Sequence, residues 1–295
     1  MRKVIDDDLL QFMGEQESQF LINPSELLSE LKKRFLGQEK LTGDTLPWRK
    51  TQPYFRLRPG EVTLWAGINS HGKSVLLNQI CAWCLNKKWL IASMEMLPAE
   101  TLERMVKQIS GTHNPTEPYL ENLLNWIDNK LWIYDQTDSV KTERILALVR
   151  YAIAHNIDHI VIDSLIKCGI PRDNYEEQAL FVDKLCWLAK TNLIHIHLVH
   201  HIRKGENEST MPGKFDIRGA GEITDLVDNV AIIFRNKRKE ADPEKYADEA
   251  DSLFKIDKQR KTGWEGTFKL WYHKDIHQYS GEENKRMVHW LQGIL

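Results

Sequence analysis

From Glu61 onward, short apolar runs alternate with amphipathic stretches. VTLWAG (62–67), WLIAS (89–93), LWIYD (131–135), HIVID (159–163) and LIHIHLV (193–199) read as strands. Helical spacing occupies 73–86, 98–110, 142–155 and 175–191. In the first helix Leu77, Ile80, Cys81 and Cys84 share a face; in the third, Ile145, Leu148, Val149 and Ala152 do. Continuous apolar strands separated by helices predict an α/β fold with a mostly parallel sheet covered on both faces. Beyond residue 228 the helices thin out, and NVAIIF, LFKIDK and GTFKLWY read as an antiparallel extension of the sheet edge. The polar stretch 239–251 between them reads as a loop or a solvated helix.

Upstream, NPSELLSELKKRFL predicts a short helix. Asn23 stands at the N-cap and Pro24 at the first helical position, and Leu27, Leu28, Leu31 and Phe35 form one stripe. Residues 37–60 hold Gly, Pro and Thr in loop proportions. The organisation expected is an N-terminal segment with a linker helix over 1–45 and one ATPase domain over 46–295.

Composition narrows the class. With 42% apolar and 28% charged residues the 295-residue chain can bury a core, so disorder is excluded. Lys plus Arg (40) nearly balances Asp plus Glu (42), which excludes a globally basic nucleic-acid binder but not a local basic channel. No run approaches the ~18 apolar residues of a membrane helix, and the start, MRKVIDDDLLQ, is acidic too early for a secretory or transit signal. Four cysteines without a framework spacing fit a reducing cytoplasm. Cys81-x-x-Cys84 lies on the apolar face of a predicted helix with no second pair, so buried thiols are expected. His195 and His197 alternate like a metal pair, but no third ligand follows at a credible spacing.

The strongest chemical signal is Gly67-Ile68-Asn69-Ser70-His71-Gly72-Lys73-Ser74, which matches G-x-x-x-x-G-K-[ST] between a strand and a helix. Glycines let the backbone N–H groups curl toward phosphate oxygens, and the helix start adds partial positive charge. Lys73 would reach the β/γ-phosphates and the Ser74 hydroxyl would face Mg²⁺. Asp163 ends the strand HIVID, where a carboxylate would face the metal through water. Since Ser164 follows it, the acid that orients the attacking water must come from elsewhere. Glu95, directly after WLIAS, is expected there, on a strand taken to lie beside the phosphate-loop strand.

Together these blocks resemble the RecA-like core of the hexameric replicative DNA helicases: the bacterial DnaB type, the helicase half of phage primase-helicases, and mitochondrial Twinkle. The resemblance runs over roughly residues 45–280. LRPGEVTLWAGINSHGKS, IASMEMLPAETLERM, HIVIDSL, HLVHHIRKG, DIRGAGEITDLVDNVAIIFRNK and KIDKQRKTGWEGTFKLWY are similar to the family's motifs in their family order. By resemblance His201 is the γ-phosphate sensor, and Arg260, accompanied by Lys258, is an arginine finger that reaches a neighbour's site. The Gly-rich stretch 213–222, with Lys214, Arg218 and Gly219, would track single-stranded DNA in a ring, aided by Arg203 and Lys204.

The resemblance therefore implies an ATP- and Mg²⁺-dependent ring, hexameric in the family, that moves 5′–3′ on single-stranded DNA at a phage or plasmid fork. A separate primase, polymerase or loader would serve it, because no primase zinc-finger cysteine set is present. The N-terminal helix would dock on the neighbouring subunit or pack on its own core. Two other readings are a RecA/RadA-type filament-forming recombinase and a nucleotide-gated DNA-binding scaffold or loader. Rings against filaments separate the first from the lead reading; strand displacement on a forked substrate separates the second.

Overall fold

The computed structural model describes residues 22–36, 42–202, 210–217 and 219–283. Two compact units divide after Thr42. In the first, Pro24–Leu27 forms a 3₁₀ turn that runs into α1 (Leu28–Phe35). The expected cap is absent: Asn23 has extended backbone, but its side chain accepts no hydrogen bond, because the helix opens as a 3₁₀ turn behind Pro24. Leu27, Leu28, Leu31 and Phe35 are exposed.

The second unit follows the chain through β1 (Asp44–Thr45), β2 (Arg56–Leu57), β3 (Val62–Gly67), α2 (Lys73–Trp83), β4 (Trp89–Ser93), α3 (Pro98–Ser110) and α4 (Glu117–Ile127). It continues with β5 (Leu131–Ile133), α5 (Thr142–Ala154), β6 (His159–Asp163), α6 (Tyr175–Asn192), β7 (His195–His201), α7 (Ala220–Leu226), β8 (Asn229–Arg235) and α8 (Lys237–Ala241). Strands β9 (Ser252–Gln259), β10 (Gly266–His273) and β11 (Gln278–Ser280) close it. A two-stranded ribbon pairs β1 with β2, and the main sheet runs β11-β10-β9-β8-β3-β7-β6-β4-β5.

The α/β class and the mostly parallel sheet follow the sequence reading, with one correction. NVAIIF, expected to be antiparallel, pairs parallel with the phosphate-loop strand as β8; only β9, β10 and β11 run antiparallel. The crossover through residues 202–228 is long enough to bring β8 back in the same direction, whereas β8 to β9 is a return connection. Helix α4 and strand β11 were not expected, being short and flanked by polar residues.

Alternating strand positions feed two apolar clusters, one per sheet face. Trp65, Ile91, Val161 and Val199 join Trp48, Leu77, Ile80, Met105 and Phe254 under α2, α3 and α4. Leu64, Leu90, Ile160 and Leu198 join Ile145, Val149, Phe181 and Ile223 under α5, α6 and α7. Cys81 and Cys84 are buried, and burial pushes both thiols well up. His159, His195 and His197 form a buried polar row on the first face. His159 Nδ1 lies 3.1 Å from His197 Nε2, Trp65 Nε1 donates to His197 Nδ1 at 3.1 Å, and Trp89 stacks on His159. Burial holds His195 down to about 3 and His197 low as well, so both rings are neutral. His159 Nε2 sits 3.1 Å from Asp44 Oδ2, which pins β1 to the sheet. Trp48 Nε1 donates to the carbonyl of Tyr279 at 2.8 Å and ties the start of the unit to β11.

Phe254 is fully buried against the rings of Trp48, Trp65 and Phe268. Phe254→Ala is expected to destabilise the domain by about 3–5 kcal/mol, read as a lower midpoint in chemical denaturation. Phe35→Ala, at an exposed position, should shift it by no more than about 0.5 kcal/mol.

Candidate functional site

The phosphate loop bridges the carboxyl end of β3 and the start of α2. Gly72 sits at φ 89°, and a Cβ there would fall 2.1 Å from the Tyr279 hydroxyl, so no other residue fits. At Gly67 a Cβ would lie 2.7 Å from the Ile233 carbonyl on β8. Lys73 is buried, and its Nζ donates to the carbonyls of Gly67 (3.0 Å) and Ile68 (3.1 Å). Burial pulls its ammonium down from the usual lysine range, against the carboxylates of Asp163 and Glu95.

Ser74 Oγ donates to Asp163 Oδ2 at 2.5 Å. Burial pushes the Asp163 carboxyl up, and nearby Glu95 adds to this, against the Ser74 hydrogen bond and Lys73. A hydroxyl and a buried carboxylate, both oxygen donors at the foot of the loop, fit a hard divalent cation, which would also relieve the crowding of negative charge.

Glu95 reaches the same cleft by a different route from the one expected. Its strand, β4, does not adjoin β3; β7 and β6 intervene. In a parallel sheet all carboxyl ends open on one edge, and the pairing of Ser93 with Asp163 carries Glu95 over the end of β6. There Ser164 Oγ donates to its Oε1 at 3.0 Å, and His201 Nε2 lies 3.7 Å away. The nearby His201 imidazole, then the Ser164 hydroxyl working against partial burial, hold the Glu95 carboxyl down to about 2. His201 pairs in register with Gly67 on neighbouring strands, so it links the loop to Glu95.

These groups line one cavity of about 1120 Å³, together with Asn69, Ser70 and Gly72. Ile68 and His71 turn away and are buried; His71 Nδ1 accepts the Arg235 backbone N–H at 3.1 Å. Six further cations line the cavity: Arg104, Lys167, Arg172, Arg235, Lys239 and Lys274, with the Tyr272 ring. No sequence signal pointed to them, since each comes alone from a different element.

Lys258 and Arg260 line no part of this cavity. Arg260 follows the end of β9, next to Val62 at the start of β3, whereas the phosphate loop begins at the other end of that strand. Six strand residues separate the two ends by roughly 17 Å. Lys258 Nζ donates to the carbonyls of Thr224 (2.6 Å) and Asp225 (3.1 Å); Arg260 Nη2 donates to those of Asp225 (2.7 Å) and Leu226 (3.1 Å). Both therefore satisfy carbonyls at the carboxyl end of α7. That helix begins at Gly219, φ 63°, directly after the Gly-rich stretch. Lys214 pairs with Glu265 at 3.1 Å, and Phe215 beside it is 85% exposed. Arg203, Lys204 and Arg218 lie outside the described residues.

Residues 55–281 match the family model of the DnaB-like helicase C terminal domain. The chain is similar in fold to an ATPase domain solved on its own, with a TM-score of 0.75 at 16% identity over 88% of this chain and 99% of that one. It is also similar to a DnaB-like replicative helicase whose structure was solved with its interactions with primase, with a TM-score of 0.68 at 16% identity over 95% of this chain and 73% of that one. No curated protein matches it.

The Glu95 geometry makes a titration testable. His201→Ala removes the largest influence holding the carboxyl down, so Glu95 should titrate at higher pH than the value of about 2. Ser164→Ala should act in the same direction but less. Carbon-13 chemical shifts of the glutamate carboxyl across the acid range would read both; an unmoved midpoint in His201→Ala would refute the contact. A group with a depressed folded pKa stabilises the fold above its unfolded pKa and loses that stabilisation as pH falls toward the folded value. Wild type should therefore lose more stability than Glu95→Gln between about pH 4.5 and 2.

Proposed function

The chain belongs to the family of DnaB-like helicase C-terminal domains, and from that premise we propose how its residues drive a replicative, nucleotide-hydrolysing DNA helicase. The nucleotide is ATP and the divalent ion Mg²⁺. The observation that carries this reading is the convergence of Lys73, the Ser74–Asp163 pair and the Glu95–Ser164 pair on one cleft at the carboxyl edge of the sheet.

ATP phosphates enter against the N–H groups of the loop 67–74, and Lys73 exchanges its two carbonyl contacts for the β/γ-phosphate oxygens. Ser74 and Asp163 hold the cation, which when bound neutralises charge on the phosphates. Glu95, ionised at neutral pH, orients the attacking water and takes its proton. His201, between the phosphate loop and Glu95, senses whether the γ-phosphate is present.

Arg260 stands at the sheet edge opposite its own cleft, which supports its service to a neighbouring copy and hence a ring, taken as a hexamer. Lys258 accompanies it there. Lys214, Arg218 and Gly219, with Arg203 and Lys204, form the DNA-tracking loop, and the exposed Phe215 adds a stacking surface. Residues 1–45, with the exposed stripe of α1, form the element that docks on the next subunit. The ring moves 5′–3′ on single-stranded DNA at a phage or plasmid fork in the bacterial or infected-host cytoplasm. A separate primase, polymerase or loader acts with it. Among the described residues no helix is long and apolar enough to cross a membrane.

Lys73→Ala should lose both ATP hydrolysis and most ATP affinity, measured by phosphate release and calorimetry; normal turnover would remove the loop from the mechanism. Glu95→Gln should keep its affinity and turn over about 10²–10⁴-fold more slowly, the range for loss of a positioned general base.

Replacing Lys214 and Arg218 together by Ala should weaken single-stranded DNA binding at every sequence. It should lower the log–log salt slope by about 2, one per phosphate contact, while basal hydrolysis persists. Unchanged affinity in a filter-binding salt series would exclude the loop.

A further inference from the structure

Arg260 has a long, flexible, half-exposed side chain, and a finger that must meet a neighbour's phosphate needs something to aim it. Asp228, the residue before β8, makes four contacts with two partners. Its N–H donates to the Val62 carbonyl at 3.1 Å, and its own carbonyl accepts the Arg260 N–H at 2.8 Å. Its Oδ2 accepts the Val62 N–H at 3.0 Å, and its Oδ1 lies 3.5 Å from Arg260 Nε. Its side chain is only 11% exposed. One carboxylate thus joins the first residue of the phosphate-loop strand to the guanidinium.

A guanidinium is a fork with separable edges. Here Asp228 faces the Nε edge, while Nη2 rests on the carbonyls at the end of α7. Those carbonyls are neutral acceptors and can exchange with water when Nη2 leaves for a phosphate. The carboxylate contact at Nε can persist through that change.

Resting on the reading of Arg260 as a finger used in trans, we propose that Asp228 is its positioning residue: it holds the Nε edge so that the Nη edge points at the neighbouring copy's ATP. Asp228 touches no reacting atom. It acts only through Arg260, so its loss damages the finger a subunit offers and leaves that subunit's own nucleotide site intact.

The variant Asp228→Asn keeps an oxygen for the Val62 N–H but removes the charge facing Arg260. Turnover should fall on the order of 10²-fold, the scale of a misplacement of about 1 Å, with KM near wild type. Asp228→Asn combined with Arg260→Ala should be no slower than Arg260→Ala alone. Asp228→Glu keeps the charge and should recover more turnover than Asn, whereas a purely structural role would favour the isosteric Asn. This ordering also guards against Asp228→Asn failing to fold.

Mixing decides between the finger and the subunit's own site. Asp228→Asn subunits have an intact site, and Lys73→Ala subunits have an intact finger. Mixed assemblies, with exchange shown by labelled subunits, should regain turnover, as should Arg260→Ala mixed with Lys73→Ala. Recovery with Arg260→Ala but not with Asp228→Asn would overturn the positioning role alone. So would near-wild-type turnover of Asp228→Asn. Near-wild-type turnover of Arg260→Ala, or no recovery in either mixture, would overturn the finger reading and this proposal with it.

Discussion

Parallel strands leave all their carboxyl ends on one edge of the sheet, and that constraint organises this molecule. Gly67, His201, Asp163 and Ser93 end β3, β7, β6 and β4 side by side, so groups far apart in the chain meet in one crevice. The same constraint sends Arg260 the other way. It follows an antiparallel strand, so it emerges beside the start of β3 rather than its end. A cleft at one edge and a cation at the other is an arrangement a single copy cannot close on itself.

Charge at the cleft is held by geometry more than by solvent. Lys73 is buried with two carbonyls in reach, and Asp163 is buried against a hydroxyl. Burial opposes the ionised form of each, so the site gains most from a ligand that brings both negative phosphate and a positive ion. Glu95 differs. Held ionised by His201 and Ser164, it keeps its charge as the pH falls well below neutrality.

How much of this was legible in the sequence depends on the range of the interactions. The phosphate loop is local: strand, glycines, lysine and helix lie within a short stretch, and α2 begins at Lys73 as its pattern implies. Strand order is not local. Nothing in WLIAS says that β6 and β7 separate it from β3, and nothing in NVAIIF distinguishes a parallel from an antiparallel neighbour. Arg104, Arg235 and Tyr272 were invisible for the same reason: each is one residue on its element, and only the fold gathers them. The Asn23 cap failed on a local competition, because Pro24 starts a 3₁₀ turn whose first N–H groups do not meet the side chain.

The bond from Trp48 to the Tyr279 carbonyl spans 231 positions of sequence. During synthesis at ~5–20 residues per second, the two partners emerge on the order of 10–50 s apart. Strands β3 to β8 can pair while the edge that receives Trp48 has not yet left the ribosome. Until then Trp48 and Phe254, which share one cluster, cannot meet. The nascent chain therefore carries its aromatic core half-covered through most of translation. A chain stalled before β11 would be a natural client for a holding chaperone.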